Sequence, residues 1–115
     1  MDYDKILALI KRIRVRDGKL FTISEVNFHL LTMDGPSEKD DAFYSCSTQI
    51  KGFFDIYLNI LQEKEEISRC LFHEIVEVLW VVSGEDTKDA HLIALEEEER
   101  YFGKRKVNLD NVISK

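Results

Sequence analysis

At 115 residues the chain has the length of one domain, enough to bury a core but too short for separate catalytic and binding domains. A net charge of −6 and a pI near 5.1 weigh against a nucleic-acid or anionic-membrane surface, because phosphate recognition needs a concentrated basic face. The only basic run, Lys104-Arg105-Lys106, is too short to supply one and reads as a helix-terminal or tail feature.

No run reaches the roughly 20 apolar residues of a membrane span, and the amino terminus lacks a basic segment followed by an apolar one. The expected location is therefore the cytoplasm, where the two cysteines, Cys46 and Cys70, are expected as free thiols.

Tyr3, Ile6, Leu7, Ile10 and Ile13 recur at helical spacing and predict an amphipathic first helix, closed by Asp17-Gly18. Val26, Phe28 and Leu30 alternate with Asn27 and His29, the period of a half-buried strand; His29 is read as a sheet-face histidine. The polar stretch Asp34-Gly35-Pro36 to Asp41 reads as an exposed loop. Ala42, Tyr44, Cys46, Thr48 and Ile50 mark one face of a second strand, and Phe54, Ile56, Leu58 and Ile60 one face of a third. Lys51-Gly52 between them suggests a β-hairpin, with glycine where a positive φ is needed.

Gln62 to Val82 predicts the central helix, with Glu63, Glu65 and Glu66 near the start, where the helix dipole favours acids. Its apolar surface is broad, so it must be covered on more than one side. Gly84 is a plausible stop, and Asp86 or Thr87 a cap for a last helix reaching about Phe102. Helix, three strands and two helices make an α+β fold, a single domain over residues 1–115 with a small sheet carrying helices on one face.

The chemistry concentrates in Leu71-Phe72-His73-Glu74-Ile75-Val76-Glu77. Residues four apart on a helix lie about 40° apart around its axis, so His73 and Glu77 point the same way and can share one metal ion. Glu74, beside the first ligand, can then act as general base on a bound water, the logic of H-E-x-x-H with a glutamate in the second ligand position. Glu66, Arg69, His73, Glu77 and Trp80 form one stripe. The plainer reading is a polar face in which Glu66 and Glu77 pair with Arg69 and His73.

On the last helix His91, Leu95, Glu98 and Phe102 form an inward stripe, and its polar members need partners. A helical hairpin would bring His91 to His73 and Glu77, two imidazoles and a carboxylate suited to a catalytic zinc with an open fourth position. Glu98 would orient His91 as an outer acceptor or serve as a ligand itself. The plainer reading makes His91 a hydrogen-bonded core or edge histidine and the run Glu96 to Glu99 a solvated face.

With the strand Phe53 to Ile60 directly before H-E-x-x-E, the chain resembles the zincin-like metallopeptidases, especially the small minimal zincin type. Leu71 to Leu79 also looks like a group of small phage and prophage proteins that carry H-E-I-x-E, then a histidine, then a glutamate seven residues on, the spacing of His91 and Glu98 here. The resemblance implies His73, Glu77 and His91 as ligands, Glu74 as the residue that activates water, and a peptide bound as an extra strand along the cleft. Glu77 departs from the standard pattern, which has histidine there. Peptide hydrolysis also needs a donor for the developing oxyanion, for which Tyr57 and Tyr101 are candidates, each also readable as packing.

The function expected is thus zinc-dependent hydrolysis of peptide bonds by Glu74-assisted attack of metal-bound water, with metal site residues His73, Glu77, His91 and Glu98. The alternative is an inactive zincin-fold interaction or regulatory module, for which the likeness to phage and prophage proteins suggests a mobile-element origin.

Overall fold

A computed structural model of the protein describes residues 1–13, 19–33, 42–46, 50–59 and 62–104. The expected loops at Asp17-Gly18 and from Asp34 to Asp41, with Thr48, Ile60, Arg105 and Lys106, lie outside these residues. Helix α1 (Tyr3–Arg12) begins where the Asp2 carboxylate accepts from the Lys5 amide at 3.2 Å, and it buries Ile6 and Ile10. Strands β1 (Lys19–Ile23), β2 (Val26–Met33), β3 (Ala42–Cys46) and β4 (Phe53–Asn59) follow, and then helices α2 (Lys64–Val82) and α3 (Thr87–Phe102).

The fold is α+β, with an amino-terminal helix, a small mixed sheet and a two-helix hairpin. The three expected strands are present as β2, β3 and β4, and a fourth, β1, joins them. It pairs antiparallel with β2 through a two-residue turn, Ser24-Glu25, in which both residues have positive φ (50° and 67°). That geometry matches the twist of a tight hairpin and is usually signalled by Asn-Gly or Asp-Gly. Ser-Glu carries no such signal, so the strand before it is hard to read from the sequence.

The sheet order is β1-β2-β4-β3, with β2 and β4 parallel and the other pairs antiparallel. The β3–β4 pair is the expected hairpin, and Gly52 has φ +83°. Because β4 takes the central place beside β2, β3 becomes an edge strand.

Val26, Phe28 and Leu30 of β2 and Ile56 and Leu58 of β4 point to one face and are buried there against the helices. Each such side chain is worth roughly 1.5–3 kcal/mol when fully removed from water. Helix α2 is buried on several sides, packing on α1, α3, β3 and β4 as its broad apolar surface requires. It ends with Gly84 at φ +111°, after which the Glu85 amide donates to the Trp80 carbonyl at 3.0 Å. Asp86 then caps α3 by accepting from the Asp89 amide at 2.8 Å.

The face that α3 presents to α2 differs from the expected stripe. Ala90, Ala94 and Glu98 are buried, whereas Leu95 is partly exposed and His91 lies at the margin of the contact. The physical reason is size: two alanines admit a close approach of the helices, which a leucine would hold apart. Among the described residues no helix is long and apolar enough to cross a membrane.

Candidate metal centre

The stripe of α2 that carries Arg69, His73 and Glu77 faces α3 rather than solvent. Glu77 follows His73 by one turn, and His73 Nε2 lies 3.1 Å from Glu77 Oε1. His91, from the first half of α3, reaches over the edge of the helix pair so that its Nδ1 lies 2.7 Å from the same Glu77 oxygen and 3.2 Å from His73 Nε2. Three donor atoms on two helices thus form a small triangle, and the two imidazole rings meet edge to face with centroids 4.9 Å apart.

This donor set fits a small divalent cation. Ligands about 2.0 Å from a tetrahedral zinc stand about 3.3 Å from one another, only slightly more than the sides of the triangle. Two nitrogens and one oxygen could hold such an ion from three sides.

Glu98 sits elsewhere. Its Oε1 accepts from His73 Nδ1 at 3.0 Å, on the far side of that ring from Nε2, and its Oε2 accepts from the Nε of Arg69. It was expected to act as ligand or to orient His91; in this arrangement it backs His73 instead. A carboxylate on the outer nitrogen fixes the ring and leaves Nε2 facing the triangle, the usual support of a metal-bound histidine. Arg69 therefore pairs across the helices with Glu98, not along its own helix with Glu66.

The electrostatics follow from these contacts. Burial of the His73 ring opposes its charge, but hydrogen bonds to Glu77 and Glu98 and the nearby charges of Glu74 and Glu98 outweigh it and push the pKa up to about 9. Glu77 is held below the usual carboxylate range: burial works against this, and hydrogen bonds from His73, His91 and Tyr44 overcome it. For Glu98 burial again pulls upward, while hydrogen bonds from His73 and Arg69 lower the pKa.

Tyr44 is the member of the site that sequence reasoning missed. It lies opposite Ile56 in the β3–β4 register, on the helix-facing side of the sheet, and its hydroxyl donates to Glu77. Burial and then the Glu77 charge push its pKa to about 12. Its place on the inward face of the second expected strand was the only signal available.

Glu74 is buried, and its charge raises the pKa of both His73 and Tyr44. Tyr101 packs among aromatic rings, 5.9 Å from Tyr3 and 5.6 Å from Phe72 between centroids. His29 lies on the sheet, 3.1 Å from Asp55 Oδ1, and Cys46 and Cys70 are not joined in a disulfide. No protein-family model, curated protein or solved structure matches this chain.

Proposed function

We propose that the protein is a zincin-like, metal-dependent hydrolase of peptide bonds, with His73, Glu77 and His91 as ligands of one divalent ion, zinc the best fit to the donor set. The observation that carries this reading is the convergence of Nε2, Oε1 and Nδ1 of those residues within 3.2 Å of one another, with Glu98 behind His73. When bound, the ion would polarise the scissile carbonyl and acidify water. Glu74, buried and next in sequence to His73, would take the proton. The hydroxyl of Tyr44, whose one proton goes to Glu77, would serve developing negative charge only by turning from that carboxylate, the part for which Tyr57 and Tyr101 had been candidates. A peptide laid against the edge strand β3 would add a strand to the sheet and run past Tyr44.

The same contacts favour a second reading. A protonated His73 between Glu77 and Glu98 satisfies all three groups without an ion, which would make the cluster a buried ionic network in a non-catalytic interaction module. One experiment separates the two. Purified protein is exposed to zinc, freed of excess, and its metal measured by elemental analysis, with His73→Ala and His91→Ala beside it. The metal reading expects about one equivalent, lost in both variants. Metal-free wild-type protein leaves the second reading.

A further inference from the structure

Glu98 and His91 lie about two turns, roughly 10 Å, apart on α3 and meet the same stripe of α2. They are held very differently. Glu98 is 2% exposed and gripped from both sides, by Arg69 on one oxygen and His73 on the other. The His91 side chain is 52% exposed, and its polar contacts run to Glu77 and the His73 ring. Its place must be set from elsewhere on the helix. The methyl groups of Ala90 and Ala94 decide how close the two helices lie, but a smooth alanine surface resists sliding weakly. A carboxylate clasped by two donors one turn apart on α2 resists both sliding and rotation. A slip of one helical residue, about 1.5 Å, would pull His91 out of its triangle.

We propose that Arg69 is a positioning residue of the metal centre: by locking Glu98 against α2 it sets the register of the hairpin and so delivers His91 to Glu77. It also holds Glu98 where the carboxylate accepts a hydrogen bond from Nδ1–H of His73, leaving Nε2 facing the triangle. The inference rests on the reading of the cluster as a metal centre. A merely structural ion pair would behave otherwise, because such pairs are often replaceable without loss once both charges are removed.

The test compares the full chain with Arg69→Gln, Arg69→Lys and the double variant Arg69→Met/Glu98→Gln, which leaves no unpaired buried charge should the single variants fail to fold. Zinc affinity is measured by competition with a chromophoric chelator, and the contact between the His73 and His91 rings by nuclear Overhauser effects in metal-free protein. Folded Arg69→Gln or the double variant is expected to bind zinc about 10–100-fold more weakly and to lose the ring contact, with Arg69→Lys recovering part of both. Affinity within about twofold of wild type together with an intact ring contact overturns the proposal. Should the wild type bind no zinc, the metal reading fails by itself. The ring contact then decides the role of Arg69: its loss in the variants supports register control, and its retention overturns it.

Discussion

Two histidine–carboxylate contacts in this molecule have nearly the same length and different meanings. On the sheet, His29 lies 3.1 Å from the buried Asp55, one ring against one acid. Between α2 and α3, His73 lies 3.1 Å from Glu77, but there a second imidazole aims at the same oxygen and a second carboxylate holds the outer nitrogen. A pair satisfies itself. What distinguishes the helical cluster is that three atoms of ligand type, two imidazole nitrogens and a carboxylate oxygen, lie close together while Glu98 holds one ring in place.

The comparison can be broken most decisively by exchange of the histidines. His73→Ala is expected to weaken zinc binding by well over about 100-fold, more than loss of an outer partner would, whereas His29→Ala leaves it unchanged; isothermal titration of the two variants reads both. Equal losses would abolish the distinction. Next in size, Glu74→Gln should cut peptide hydrolysis by about 10²–10⁴-fold, the usual worth of a general base, with zinc affinity retained. Parallel loss of affinity would move Glu74 from base to structural support.

The helical cluster should also respond to pH. With the His73 pKa raised from 6.5 to about 9, the metal-free protein gains stability from its proton below pH 6.5 and loses it as pH climbs through 9. Glu77 and Glu98, both lowered, contribute above about pH 4.5 and lose their contribution on acidification. The melting temperature of metal-free protein should therefore fall between pH 6.5 and 9, while zinc affinity rises as the competing proton leaves. A flat melting profile across that interval would show that His73 is not bridged as described.

On the sheet side, His29→Ala strips Asp55 of its ring partner and should cost about 1–3 kcal/mol in chemical denaturation, with no change at the metal centre. Smallest of all, Tyr44→Phe removes one hydrogen bond to Glu77, a net loss of about 1 kcal/mol or, in affinity, less than about tenfold. A larger drop in hydrolysis than in affinity would assign the hydroxyl to the reaction rather than to the ligand.

Periodicity made most of this architecture legible. The apolar spacing in α1 and α2, Gly84 and Asp86 marked helices and their ends, and the four-residue step from His73 to Glu77 marked the centre of the cluster. What escaped was whatever depends on packing across elements. Leucine outranks alanine in hydrophobicity, so Leu95 was expected inside, but a close helix crossing selects for small volume and chose Ala90 and Ala94. Arg69 had an acid one turn away on its own helix, and only the hairpin reveals that its partner is Glu98. The contact of Tyr44 with Glu77 depends on how an edge strand registers against a helix, which no local pattern encodes. Strand β1 was hidden by the Ser24-Glu25 turn.

On the metal reading, the uneven burial of the three candidate ligands has a kinetic corollary. His73 and Glu77 are fixed by neighbours, while His91 stands with half its ring in solvent, so one change of its χ1 rotamer would open the cage without loosening either helix. Metal exchange would then proceed at the pace of a side-chain swing, with chelators attacking from that flank, and the core would stay closed throughout.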